Sequence, residues 1–173
     1  GVVPPRAGLL RRDVPGDGGG GVRLATAHRF TIEARLGPVV DVGRTPTGHR
    51  RVIPIVGGTV RGRLTGVVLP GGADWNLERA DGSHELWARY EIRLDDGAVV
   101  SVTNTAVHDA AAAPPILTSP RFDVGDGGPV ALRTGAFVGA LYPAPDGASV
   151  RIEVFEVLAG APDPLAEGPP GDR

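Results

Sequence analysis

The stretch that decides the fold runs from Arg50 to Gly97. It reads R-R-V-I-P-I-V-G-G-T-V-R-G at Arg50–Gly62, G-G-A-D-W at Gly71–Trp75, A-R-Y at Ala88–Tyr90 and D-D-G at Asp95–Gly97. Short runs of β-branched and apolar residues are punctuated by glycine pairs and an Asp-Gly step. Asp-Gly is a strong hairpin signal because the primed turns demand positive φ. This is the grammar of a closed antiparallel sheet.

The same period of two continues outward. Phe30, Ile32, Ala34 and Leu36 alternate with Arg29, Thr31, Glu33 and Arg35, the pattern of a half-buried strand. Gly37-Pro38 ends that run, and Arg44–Gly48 is turn-rich. Val52–Val56, Thr59–Leu69, Glu85–Leu94, Ala98–Val107, Val130–Val138 and Ser149–Val157 read as further strands. Within Thr59–Leu69, Gly62 and Gly66 fall on the face of Val60, Leu64 and Val68. Glycines so placed leave room for a large neighbour or permit the sharp coiling of a small barrel. Pro70–Gly72, Ala80–Ser83, Asp95–Gly97, Gly125–Gly128 and Pro143–Gly147 are the turns. Asp109–Ala113 is the best short helical candidate, and Pro114-Pro115 stops it. The predicted fold class is all-β: an antiparallel up-and-down β-barrel of about 8–10 strands, which leaves no free edges, with a two-sheet β-sandwich as the alternative.

Both ends differ from the middle. Residues 1–27, with the run Gly18–Gly21, and residues 159–173, rich in Pro, Gly and acids, are predicted to be flexible tails around a barrel domain at 28–158. The net charge is −2, so no basic field invites nucleic acid. Every basic residue other than the four His is Arg, which excludes a lysine Schiff base and, with abundant Ala, Gly and Pro, suggests a GC-rich bacterial source. There is no Cys, which excludes disulfides, thiolate catalysis and Cys-type zinc sites. No apolar run approaches the ~20 residues of a spanning helix. A cytoplasmic location is the expectation; whether a leader was removed before Gly1 is left open.

The quoted motifs, in this order, resemble the bacterial and fungal family called domain of unknown function 3237. Pro120–Phe122 (P-R-F) and Val154–Val157 (V-F-E-V) extend the resemblance over nearly the whole predicted barrel. The resemblance implies a calycin-like barrel and, through the company its members keep, a lean toward secondary metabolism and aromatic breakdown. The chain departs from the family pattern at two positions. Trp87 stands where members commonly carry an acid, and Ala131 where they usually carry Trp. Both changes would reshape a pocket.

Candidate chemistry gathers at a few side chains. Asp74 beside Trp75 is either a desolvated carboxylate with a raised pKa, suited to acid–base work, or a turn anchor next to an aromatic plug. In Glu85–Leu94, Arg89 shares a face with Trp87, and Tyr90 lies on the other. One of Arg89 or Tyr90 must therefore enter the lumen, where an Arg would stabilise developing negative charge; outside, Arg89 would pair across strands. Asn104 and His108 share a strand face and could hold a carbonyl and shuttle a proton, or His108 could simply sit at a solvated strand end. The predicted catalytic residues are Asp74, Arg89 and His108, and the predicted substrate contacts are Trp75, Tyr90, Asn104 and Trp87. The four His lack metal-ligand spacing, so no metal and no cofactor are expected.

The expected function is that of a cofactor-independent enzyme acting on a small hydrophobic metabolite in a barrel pocket, by cyclisation, isomerisation or hydration and dehydration. The alternatives are a non-catalytic small-molecule-binding barrel and a structural subunit with a packed lumen. The expected partner is a small hydrophobic or aromatic metabolite, with no nucleic acid and no membrane; a homodimer is left open.

Overall fold

The computed structural model describes residues 22–160, of which Leu24–Leu158 form one compact unit. Its ten strands are β1 (Leu24–Leu36), β2 (Val40–Thr45), β3 (Gly48–Gly62), β4 (Gly66–Val68), β5 (Gly72–Glu78), β6 (Ser83–Leu94), β7 (Val99–Asp109), β8 (Ile116–Val124), β9 (Ala136–Pro143) and β10 (Ser149–Ala159), with one short helix α1 (Ala131–Thr134). Hydrogen bonding runs β1–β10–β9–β8–β7–β6, continues through β4 to β3, and closes where β1 pairs antiparallel with β3. On one side of β3, β1 and β2 lie end to end, and on the other side β4 and β5 do the same. Ten strands thus fill eight positions, giving a closed eight-stranded antiparallel barrel with two extra strands.

The sequence punctuation accounts for this closure. At Asp81-Gly82-Ser83, Asp96-Gly97-Ala98 and Asp146-Gly147-Ala148 the aspartate Oδ1 accepts the N–H two residues on, each at 2.9 Å, while the glycine takes positive φ. Three hairpins are therefore set by the same local chemistry. The glycine pair in β3 has a different task. Leu36 pairs with Ile55 but Arg35 with Gly57, so Val56 is an extra residue and β3 bulges. Ile53 and Ile55 line the lumen before the bulge, and Val60 belongs to the buried core beyond it, so the inward set changes from odd to even numbers.

Space inside the barrel is unequally filled. At one end Phe30 and Phe122 meet edge to face at 5.8 Å, as do Phe122 and Phe137 at 5.2 Å, and Leu132 of α1 is buried among Val60, Leu94 and Val100. Bulky rings close that end. At the other end the inward residues are smaller, and a cavity remains.

Four expectations change. Thr59–Leu69 is not one strand, because β3 stops at Gly62, where φ is 135°, and turns through residues 63–65 into β4. Val130–Val138 begins as a helical turn that inserts Leu132, and Arg133 fastens it to the Val124 and Gly125 carbonyls at 2.9 and 2.6 Å. Asp109–Ala113 is only a turn closed by Ala112 N–H to Asp109 C=O at 3.0 Å. Finally, β1 begins at Leu24, so residues 24–27 are strand rather than tail; the predicted tails at 1–21 and 161–173 lie outside the described residues.

Gly58 has φ of 151°, and a Cβ there would overlap the Glu33 carbonyl oxygen of the paired strand. Gly58→Ala is expected to cost about 3 kcal/mol in denaturant unfolding. Gly125→Ala, which meets open space without positive φ, is expected to stay within about 0.5 kcal/mol of wild type. Equal midpoints for the two variants would refute the bulge as a constraint.

Candidate functional site

On β6 the inward set is Leu86, Ala88, Tyr90 and Ile92, whereas Trp87 and Arg89 are exposed. Strand register aligns the rest of the wall with it. Asp74 pairs with Ala88, Ala88 with Asn104, and Asn104 with Pro120. Further toward the open end, Glu78 pairs with His84 and His84 with His108. The resulting cavity measures about 280 Å³. Its polar lining is Asp74, Asn76, His84, Tyr90, Asn104, His108 and Thr118, set among aliphatic side chains such as Ile55, Leu86, Leu141 and Ile152.

Asp74 occupies a fault in the wall. The β5–β6 ladder pairs Asp74 with Ala88 and Leu77 with Glu85, but it is interrupted between them. There the Trp87 N–H donates to Asp74 Oδ1 at 2.9 Å, and Arg50 Nη1 donates to the Trp75 carbonyl at 2.6 Å. Side chains thus replace the missing backbone bonds. Burial pushes the Asp74 carboxyl above its ordinary range; the Trp87 N–H, the Asn76 side chain and the charges of Arg50 and Arg51 pull against it without cancelling it.

His84 and His108 stand edge to face at 5.6 Å between centroids. Burial lowers the His84 pKa, with Arg51 and His108 adding repulsion and Glu78 opposing them. Arg51 Nη2 donates to Asn76 Oδ1 at 3.1 Å. Farther in, Tyr90 is 1% exposed, and burial raises its phenol pKa. The Tyr90 hydroxyl, Asn104 Oδ1 and Thr118 Oγ1 are buried with no hydrogen-bond partner in the protein. A buried polar group left unpaired costs about 1–3 kcal/mol, so these three atoms are the ones a water or ligand in the cavity would pair. The Thr118 hydroxyl takes the space that a side chain at position 139 would fill, which Gly139 leaves free.

Of the predicted site residues, Asp74, Tyr90, Asn104 and His108 come together at the cavity. Trp75, Trp87 and Arg89 do not. Neighbours on a pleated strand point to opposite faces, so with Asp74 inward Trp75 must be outward. Trp75 and Trp87 meet edge to face at 5.4 Å outside the barrel. Arg89 is exposed, and the acid two residues on, Glu91, instead accepts from Ser101 Oγ at 2.9 Å. The sequence reading missed Asn76, His84 and Thr118. His84 has the parity of Leu86 and Tyr90, a signal that was available. Thr118 lies on β8, which contains Pro120 and was not predicted as a strand. Among the described residues no three His, Asp or Glu side chains group as metal ligands.

This barrel, with a polar patch set in an apolar lumen, matches a family of proteins of unknown function, DUF3237, over residues 24–157, and the chain belongs to that family. It is 38% identical over 151 residues to a UPF0311 protein of Rhodopseudomonas palustris, covering 78% of this chain and 97% of the relative. A crystal structure of a conserved protein of unknown function from Rhodopseudomonas palustris superposes with TM-score 0.69 at 38% identity, over 79% of this chain and 99% of that one. A β-barrel-like protein from Acinetobacter baumannii gives 0.71 at 24% identity, over 79% and 97% of the two chains. An enzyme from Penicillium herquei shares the fold at TM-score 0.63 and 22% identity, over 79% and 95%.

Two pH effects follow. The folded pKa of Asp74 is raised, so its contribution to stability is full below the unfolded value of 3.8 and is lost as pH rises through the folded value. Asp74→Asn keeps an acceptor for the Trp87 N–H and removes the charge. Its melting temperature is expected to gain on wild type between about pH 4 and 7; a flat or shrinking difference would refute this.

For His84 the folded pKa is lowered, so its contribution is full above 6.5 and is lost as pH falls through the folded value. His84→Gln is expected to flatten the decline of melting temperature between about pH 6.5 and 5, and an unchanged acid limb would contradict it.

Proposed function

We propose that the protein is a cofactor-independent acid–base enzyme of the cytoplasm, acting on a small, largely hydrophobic metabolite inside the barrel by cyclisation, isomerisation or hydration and dehydration. The observation that carries this reading is Asp74, a desolvated carboxyl in the wall of an apolar cavity, set across Ala88 from Asn104, whose Oδ1 has no hydrogen-bond partner in the protein. Such reactions need a shaped cavity, a group that takes and returns a proton, and a group that holds the reacting oxygen. Asp74 is the proton-transfer group and Asn104 holds the oxygen. Tyr90, kept neutral by burial, donates a hydrogen bond. His84 and His108 exchange protons with water at the open end. Arg89, outside the barrel, has no part in this scheme.

A second reading, a non-catalytic carrier, draws on the same three unpartnered polar atoms, which serve any tight ligand. Asp74 separates the two. Wild type and Asp74→Asn are incubated with a panel of small unsaturated alcohols and ketones, and products of unchanged mass or of mass altered by one water are followed by chromatography and mass spectrometry. Wild type is expected to convert members of the panel, with Asp74→Asn slower by about 10²-fold. Equal turnover in a folded variant would remove Asp74 from the chemistry. Ligands bound but recovered unchanged would favour the carrier.

A further inference from the structure

We propose that the row Asp74–Ala88–Asn104 is the recognition point for an uncharged hydroxyl on a two-ring-sized ligand, and that Ala88 sets the room for it. This rests on the cavity being a ligand site, as above, but not on its being catalytic.

The register places Ala88 directly between Asp74 on β5 and Asn104 on β7. Adjacent strands lie about 4.8 Å apart, so the two polar residues stand roughly 10 Å apart across one methyl group. Any larger inward side chain at position 88 would fill the gap between them. The two residues also need a partner of particular chemistry. Asn104 is 4% exposed, and its Oδ1 lacks a donor. Asp74 Oδ1 accepts from the Trp87 N–H and the Asn76 side chain also bonds the carboxyl, so a ligand would use its remaining hydrogen-bonding capacity. A hydroxyl has one hydrogen to give and lone pairs to accept with, so it donates to Asn104 Oδ1 and accepts from Asp74 when that carboxyl, whose pKa burial raises, carries its proton.

Charged groups fit less well. A carboxylate only accepts, which leaves Asn104 Oδ1 unpaired and sets a second acid beside Asp74. An ammonium meets Arg51, whose guanidinium is held at the neighbouring Asn76. The rest of the lining is mainly aliphatic, so the remainder of the ligand is apolar. The volume of about 280 Å³ suits roughly two fused rings, since a cavity of about 150 Å³ takes one benzene.

The test is calorimetric binding at neutral pH of four probes of one shape: naphthalene-2-methanol, 2-methylnaphthalene, naphthalene-2-carboxylate and naphthalene-2-methylammonium. The alcohol is expected to bind wild type about tenfold or more tighter than each of the others, the equivalent of one good hydrogen bond. Ala88→Leu is expected to abolish alcohol binding, and Ala88→Gly, which adds no bulk, to retain it. Circular dichroism and melting temperature establish that each variant is folded; should Ala88→Leu not fold, Ala88→Val takes its place with the same expected loss. Asn104→Leu should bring the alcohol and the hydrocarbon to similar affinity. The proposal is overturned if the carboxylate or ammonium equals the alcohol, if a folded Ala88 variant with the larger side chain binds it undiminished, or if none of the four binds. These outcomes are independent of turnover: full activity in Asp74→Asn refutes the acid–base reading and leaves hydroxyl recognition standing, whereas equal binding of the charged probes beside a slowed Asp74→Asn refutes hydroxyl recognition and leaves the acid–base reading standing.

Discussion

Everything in this molecule depends on one geometric constraint, the two-residue pleat of a sheet closed on itself. In a closed barrel no strand can choose its faces independently, because each register fixes the next. Once Ile53 faces the lumen, its partner Asp74 must do so; then Ala88 must, and then Asn104. The polar row across the cavity is a consequence of closure as much as of side-chain chemistry. The bulge at Val56 extends the same logic. By shifting β3 one residue it lets Ile55 and Val60 both point inward, so the cavity and the packed end share one wall.

The division of the lumen follows from side-chain volume. Phe30, Phe122, Phe137 and Leu132 saturate one end, whereas Ala34, Ala88, Pro143 and Val150 leave the other unfilled. A largely aliphatic chamber makes each polar atom in it expensive unless paired. It also explains the contest at Asp74, where the Trp87 N–H, the Asn76 side chain and two nearby guanidinium groups fall short of offsetting burial.

The barrel was legible because period-two runs and Asp-Gly turns are local signals, and both survive in the structure. Four of the seven polar residues of the candidate site were also legible: Tyr90 and Asn104 lie on predicted strands, His108 directly follows one, and Asp74 comes just after the Pro70–Gly72 turn. Trp75 was misjudged because motif adjacency was allowed to outweigh the pleat, which sends neighbours in a sequence to opposite faces. Trp87 and Arg89 could have been excluded by the run Leu86, Ala88, Tyr90 and Ile92, whose apolar parity marks the lumen. Other features were beyond local reading. The β3 bulge is a non-local slip set by pairing with β1, and Thr118 sits on a strand whose proline argued against it. Leu132 enters the core on a helical turn, because closing the barrel end outweighs the strand pattern around it.

The interruption between β5 and β6 gives the protein a built-in optical reporter. The chain has two tryptophans, and both stand on this seam. The amide of one is bonded to the carboxylate that also lines the cavity. Indole emission shifts with local polarity and neighbouring charge. The tryptophan emission of the whole chain therefore arises on the outer side of the wall that Asp74 lines from within, and it registers what happens to that carboxyl group without a label.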